Sequence, residues 1–192
     1  MNNVKRLAVY CGSASGSQAM FADATRETAV VMVRSGVDLV YGGGRLGLMG
    51  IIADSVLAGG GRVYGVIPKA LVNLEVAHTG VTELHTVETM HERKAKMTDL
   101  ADAFLALPGG IGTLDELFEA WSWNALGYHA KPFCLLNVDG FWDGMITFID
   151  HATTSGFLSA RRREQLLVAQ TPEQALELLD EAAAAATQGM VW

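Results

Sequence analysis

The sequence predicts a single doubly wound α/β domain, with helices on both faces of a mostly parallel sheet. Three observations predict it. Short apolar, β-rich runs alternate with longer helical stretches, the pattern of repeated βαβ units. The runs are apolar at nearly every residue rather than every second one, as happens when helices cover both faces of a sheet. Three of the runs end in glycine-containing loops that lead into helices, and open α/β sheets bind ligands at the carboxyl ends of their strands.

The first strand is read at residues 7–11, LAVYC. A helix follows over 17–35, with Ser17 as N-cap and Gly36 just past its end. Residues 38–41 form a short second strand. A glycine cluster comes next, then a helix near 48–58 that Gly59, Gly60 and Gly61 break. The third strand covers 62–67 and stops at Pro68. Residues 69–80 carry mixed signals and read as a loop. A strand is expected at 81–86, a helix at 90–101 and a fully apolar strand at 103–107. Residues 108–112 form a turn. The next helix runs over 113–126, with Thr113 capping it and Glu116 at its third position. A strand at 133–137 and a helix at 142–155 follow. In the last helix Thr171 is the N-cap, Pro172 stands at N1 and Gln174 at N3. The alanine run at 182–186 is a weakly specified helical tail. There is no repeat and no linker. One domain spans 1–192, with a core of about 6–157 and a C-terminal helical segment of about 158–192.

Composition bounds the function. The 192 residues amount to one domain at roughly 150 residues per domain. Half of them (50%) are apolar and 18% are charged, against roughly 25% charged in an average soluble chain. That balance fills a core, excludes a disordered chain, and leaves a sparsely charged surface that points to an oligomer. Fourteen Lys and Arg against 21 Asp and Glu give a net charge of −7. Nucleic acid is therefore not an expected partner, and an anionic ligand must be held by local groups against the overall field. Cys11 and Cys134 stand apart inside apolar runs, as buried thiols do in a reducing compartment. The apolar run 7–11 is too short for a signal-peptide core, and no stretch of about 20 residues is free of charge. The expectation is a cytoplasmic protein with no membrane partner.

The three glycine loops are Gly12-Ser13-Ala14-Ser15-Gly16, Gly42-Gly43-Gly44-Arg45-Leu46-Gly47, and Gly109-Gly110-Ile111-Gly112-Thr113. Glycine lets a ligand approach backbone amides closely. A following helix adds unpaired N–H groups and the positive end of its dipole, which makes a phosphate cradle without a lysine. The second loop matches GxGxxG, but no acid follows some 20 residues later to take a ribose hydroxyl. The P-loop pattern GxxxxGK[ST] is absent. Asp115 and Glu116 open the helix after the third loop. They either complement its dipole or, for Glu116, grip a ribose or steady a developing cation. Met90, Arg93, Lys94 and Met97 share one helix face. That face is either buried, which is costly for unpaired charge, or an exposed basic turn with snorkelling stems. The histidines show no metal-ligand spacing, and there is no HExxH, CxxC or GxSxG. Phe118, Trp121, Trp123 and Tyr128 read as core or subunit contact.

The motifs Tyr41-Gly42-Gly43-Gly44-x-x-Gly47-Leu48-Met49-Gly50, Met90-His91-x-Arg93-Lys94 and Pro108-Gly109-Gly110-x-Gly112-Thr113-x-x-Glu116 resemble the signature of the Lonely Guy (LOG) family. Gly12-Ser13 and Leu136-Asn137-Val138-Asp139-Gly140 extend the likeness over about 6–157. Members are cytokinin riboside 5′-monophosphate phosphoribohydrolases, often mislabelled lysine decarboxylases. The resemblance implies a Rossmann-like homodimer. It would cleave the N-glycosidic bond of a nucleoside 5′-monophosphate, with no cofactor and no metal. It implies that Arg93 and Glu116 are the catalytic pair. Gly109, Gly110, Gly112, Thr113 and Asp115 would hold the nucleotide together with Glu75, Lys94, Ser13, Gly43, Gly44 and Met49. Asp115 stands where many members carry glutamate, and Ala14 replaces a common serine.

The residues read by themselves agree with that chemistry. N-glycoside hydrolysis passes through an oxocarbenium-like sugar. The site must anchor a phosphate, stabilise positive charge at the anomeric carbon, and help a purine leave. The glycine loops suit the first and Glu116 the second. Arg93 suits the third, on either the base or the phosphate. A competing expectation is a carrier that holds a nucleotide or a molybdenum cofactor without cleaving it. A pyridoxal decarboxylase is disfavoured, because none of Lys5, Lys69, Lys94, Lys96 and Lys131 has a Schiff-base context.

Overall fold

A computed structural model describes residues 3–74 and 76–188, without the side chains of 187 and 188. Its elements in chain order are β1 (Arg6–Tyr10), α1 (Ala19–Arg34), β2 (Asp38–Tyr41), α2 (Gly47–Ala58), β3 (Val63–Pro68), β4 (Glu83–Val87), α3 (Met90–Leu100), β5 (Ala103–Ala106), α4 (Ile111–Ala125), β6 (Phe133–Leu136), α5 (Asp143–Thr154), α6 (Ala160–Glu164), β7 (Leu166–Ala169) and α7 (Pro172–Gln188). Among the described residues seven strands form one sheet in the order β4-β3-β2-β1-β5-β6-β7. Every strand pair is parallel. The expected mixture is thus wholly parallel. The order reverses between β1 and β5, where doubly wound sheets open a ligand crevice.

The strands divide their side chains between two cores. Leu7 and Val9 of β1, Leu39 and Tyr41 of β2, and Leu105 of β5 face a core shared with α1, α2 and α7. Ala8, Tyr10, Val40, Phe104 and Ala106, the residues between, face a second core with α3, α4 and α5. The period of two that a strand imposes is intact, but both faces are apolar and the sequence shows no alternation.

Helix ends test the sequence reading closely. Thr171 does cap α7: its hydroxyl accepts from Gln174 N at 3.3 Å, and Gln174 reaches back to Gln170 N at 2.8 Å. Thr89 caps α3 in the same way, accepting from Glu92 N at 3.1 Å. Ser17 does not cap α1. The helix starts later, with Gln18 in the cap position and no side-chain hydrogen bond. The segment expected to be helical from 158 contains β7, which pairs with β6 from Phe133↔Leu166 to Leu136↔Ala169. Both cysteines are free and buried. No helix of the described residues is long and apolar enough to cross a membrane.

Gly47 shows how tightly the loops are set. Its φ is +58°, and a Cβ there would lie 2.3 Å from the Ser13 carbonyl carbon. Gly60, with φ +84°, has open space around it. Gly60→Ala should therefore cost only the left-handed strain, on the order of 1 kcal/mol, and Gly47→Ala more than about 2 kcal/mol because backbone must also move. Urea unfolding of the two variants checks this; equal losses would contradict the clash.

Candidate active site

Three glycine loops and a buried arginine meet at the carboxyl edge of the sheet. The loops interlock. Gly12 N donates to Pro108 O at 3.1 Å, and Leu48 N donates to Gly12 O at 3.0 Å. A Cβ on Gly109 would lie 2.9 Å from Gly12 N, so this pair of loops meets backbone to backbone. Between the first and third loops is a cavity of about 300 Å³, lined by Gly12, Ser13, Ser15, Phe21, Leu48, Gly109, Gly110 and Phe141 among others. It lies beside the β1–β5 reversal, and its size is at the lower end for small-molecule sites.

The third loop ends as an open helix N-terminus. Gly110 takes the cap position of α4 without a side-chain hydrogen bond. The first amides of a helix have no partner within it and carry the positive dipole end. A Cβ on Gly110 or Gly112 would meet nothing within 4 Å. The expected cap at Thr113 is corrected. The cap lies three residues earlier, at Gly110, and the helix starts at Ile111, which makes Thr113 its third residue. Thr113 is buried, and its hydroxyl packs on Gly109, 2.1 Å from where a Cβ would stand.

That correction moves Glu116 from the third helical position to the sixth. Asp115 and Glu116 do not open the helix, and no acid lies in its first turn. Dipole compensation, which fades beyond one turn, does not account for Glu116. Its charge instead reaches the end of β1. Burial, and then Glu116, pushes the Cys11 thiol up. Burial, then Glu116 and Glu119, pushes the Tyr10 phenol well up, with the Thr98 side chain pulling the other way. Both groups stay protonated, so Cys11 offers no thiolate nucleophile.

Arg93 is only 3% exposed. Its Nη2 donates to Gly42 O at 2.7 Å and its Nε to Val66 O at 3.2 Å, with Met90 Sδ 3.8 Å from Nη1. A Cβ on residue 42 would sit 2.1 Å from Nη2, so glycine is what admits the guanidinium. The helix face the sequence left open is thus decided. Arg93 and Met97 are buried, Met90 is 42% exposed, and Lys94 is largely covered. Lys94 Nζ lies 3.1 Å from Asp115 and 3.0 Å from Glu119. Burial alone would lower its pKa; the hydrogen bonds to Glu119 and Asp115 outweigh that and raise it.

The second loop is occupied by the protein itself. Gly43 O accepts from His78 N at 2.9 Å, Arg45 N donates to Val76 O at 3.0 Å, and Gly44 bridges Ala77. Met49 is buried, its sulfur 3.3 Å from the Cβ position of Gly42. His78 Nε2 lies 2.9 Å from Asp54 Oδ1. Glu75 lies outside the described residues. The site thus gathers Ser13 with Gly109 and Gly110 on the cavity, and Lys94 with Asp115. Gly42 meets Arg93 and Met49, and Gly43 and Gly44 are the next residues of that loop. Sequence reasoning misses Phe21 and Phe141, whose rings meet edge-on at 5.6 Å. It also misses Glu119. The signal for Glu119 was its spacing, three residues after Glu116 and four after Asp115.

Comparison with known proteins bears on this arrangement. A family model described as "Possible lysine decarboxylase" matches residues 49–179. Cytokinin riboside 5′-monophosphate phosphoribohydrolase LOG2 of Arabidopsis thaliana is 49% identical over 177 residues, 92% of this chain and 83% of that protein. The enzyme of the same name, LOG, from Oryza sativa subsp. japonica is 48% identical over 188 residues, 98% of this chain and 78% of that one. The chain belongs to the LOG family. The fold is shared more widely. The molybdenum cofactor carrier protein of Chlamydomonas reinhardtii superposes with a TM-score of 0.71 over 93% of this chain and 98% of that one, at 18% identity.

In this LOG chain the best-defined contacts are those of Arg93. Arg93→Ala would strip buried donors from the carbonyls of Gly42 and Val66. Each buried acceptor left unpaired costs about 1–3 kcal/mol, so the variant should lose roughly 2–4 kcal/mol of stability. Urea unfolding measures it; a loss below about 1 kcal/mol would mean the carbonyls have found other partners.

Proposed function

We propose that this chain hydrolyses the N-glycosidic bond of adenosine 5′-monophosphates, N6-prenylated ones included, to free base and ribose 5-phosphate. The observation that carries the reading is the open helix N-terminus at Gly110–Gly112, with Glu116 five residues along the helix from its first residue. One end offers amides to an anion and the other a carboxylate to a developing cation. The names of its relatives, at 44–49% identity, describe the same reaction.

In this reading the amides at Gly109, Gly110, Gly112 and Thr113 anchor the 5′-phosphate, helped by the Ser13 hydroxyl. Hydrogen bonds from amides to an anion are the strong kind. Water adds to the anomeric carbon as the bond to the base nitrogen breaks; the base leaves as an anion and takes up from solvent a proton that is balanced by the one Glu116 removes from water and then releases. Glu116 stabilises the oxocarbenium-like sugar and takes the proton of the attacking water. Arg93 supplies a fixed positive charge for the departing base or the phosphate. Asp115 and Lys94 border the ribose. Gly43, Gly44 and Met49 form the wall beside Arg93, and Glu75 joins the substrate contacts. No cofactor takes part. The carrier alternative rests on likeness of fold alone.

The working unit we propose is a homodimer, with no nucleic acid or membrane partner, in the cytoplasm. Its support is an apolar groove of about 250 Å³ between α4 and α5, lined by Phe118, Trp121, Ala125, Ile149 and Leu158 among others. Leu126 (70%), Phe148 (64%) and Phe157 (91%), neighbours in sequence of groove residues, are strongly exposed, and exposed apolar surface of this kind suits a subunit contact.

Three measurements test these readings. Incubation with AMP, isopentenyl-AMP and adenosine, read by chromatography, should show base and ribose 5-phosphate from the nucleotides. Adenosine should be cleaved at least about a hundredfold more poorly; equal turnover would sink the phosphate anchor. Glu116→Gln should keep the fold and nucleotide binding and lose on the order of 10²–10³ in kcat. Near wild-type release of base by that variant would remove Glu116 from the chemistry. Light scattering at micromolar concentration should give twice the 20.5 kDa chain mass.

A further inference from the structure

Resting on that reading, we propose that Glu119 is a positioning residue. By holding Lys94 between α3 and α4, it fixes where Arg93 stands relative to Glu116. The two proposed catalytic groups come from different helices, and both helices lie over β1. Along the chain α3 leads through β5 into α4. Between their side chains the structure also shows an ionic link. Lys94, next to Arg93 on α3, places Nζ 3.0 Å from Glu119 Oε2 and 3.1 Å from Asp115 Oδ2 on α4. His91, also on α3, puts Nδ1 3.8 Å from the other Glu119 oxygen.

The two carboxylates are not equivalent. The Glu119 side chain is 19% exposed and that of Asp115 54%. An exposed ion pair contributes little and is screened. A largely covered one is screened far less and holds its geometry. Glu119 is therefore the firmer of the two ties. It stands three residues after Glu116, so the pair fixes α4 one turn from the acid and α3 one residue from the arginine. A shift of about 1 Å between reacting groups can cost up to roughly a hundredfold in rate. Glu119 touches neither substrate nor reacting atoms in this arrangement. Its effect should fall on kcat more than on nucleotide affinity, which in this reading the α4 amides mainly supply and Lys94, bordering the ribose, only adds to.

The experiment is a double-mutant cycle of Glu119→Gln and Lys94→Met in the full chain, read by steady-state kinetics on isopentenyl-AMP and by thermal unfolding. Wild-type turnover comes first: if no base is released, the reading of the reaction fails, which is distinct from failure of the positioning role. With turnover present, Glu119→Gln should lower kcat about tenfold, change KM less than about threefold, and add nothing further once Lys94 is Met. Unchanged kcat would overturn the proposal. So would a loss confined to KM, or an equal loss on both backgrounds, since Glu119 would then act without Lys94. If Glu119→Gln does not fold, Glu119→Asp keeps the charge on a shorter arm and should lose a few-fold in kcat; wild-type kcat there overturns the proposal equally.

Discussion

The guanidinium of Arg93, bound to the carbonyls of Gly42 and Val66, is the interaction on which the rest of the site depends. Parallel strands leave backbone carbonyls at their carboxyl ends, and buried ones need donors. At β2 and β3 those donors come from one side chain on α3. Burying a guanidinium is costly unless its donors are matched. Hydrogen bonds to rigid backbone at Gly42 and Val66 satisfy two of them and fix the planar fork in place. Several local features then follow. Residue 42 has no room for a Cβ. The first turns of α3 must stand over the ends of β2 and β3. Lys94 is carried toward α4 because it is the next residue. A positive charge is built into the floor of the site by the fold itself.

The same economy explains why three glycine loops occur although only the third ends in an uncapped helix N-terminus with open space at its glycines. Gly47 and Gly109 let the second and third loops close on the first, through Leu48 N to Gly12 O and Gly12 N to Pro108 O. Around Gly43 and Gly44 the second loop is covered by residues 76–78. These glycines make three strand ends into one rigid surface. Gly110 and Gly112 differ, since nothing occupies the space a side chain would take. Identical residue types thus do two jobs, close packing and ligand access, and sequence alone does not separate them.

Where the sequence was legible, a local physical rule operated without competition. The βαβ alternation, the three loops at strand ends and the Thr171 cap with Gln174 are all governed by neighbours within a few residues. Where it was not, tertiary contact overruled the local rule. Thr113 has the residue type of an N-cap, but its hydroxyl packs against Gly109, so the helix begins earlier at a glycine. Strand β7 is four residues long, and no glycine or proline bounds it. Its Leu-Leu-Val-Ala reads equally well as helix, and pairing with β6 decides. The wall residue Phe141 is placed by Asn137, whose amide donates to Asp143 at 2.8 Å and accepts from Trp142 N at 2.8 Å. Asn-Val-Asp-Gly was recognisable as a motif, but not as the support of a cavity wall. Spacing alone puts Glu119 on one face of α4 with Asp115, but not the contact with Lys94 across two helices that holds it.

Charge gives the last constraint. A chain of net charge −7 holds Asp115, Glu116 and Glu119 within five residues of the helix whose N-terminus is proposed to take a phosphate. Three uncompensated carboxylates there would oppose an anionic substrate. Lys94 pairs with Asp115 and Glu119, and the raised pKa keeps it charged. Lys94 thus offsets Asp115 and Glu119 before any ligand arrives. In the proposed reaction the phosphate meets amides and a dipole, while the carboxylate of Glu116 is reserved for the sugar as it becomes cationic. In that proposal the same ion pairs that tie α3 to α4 also separate an end of the site that would accept anions from an end that would stabilise a cation.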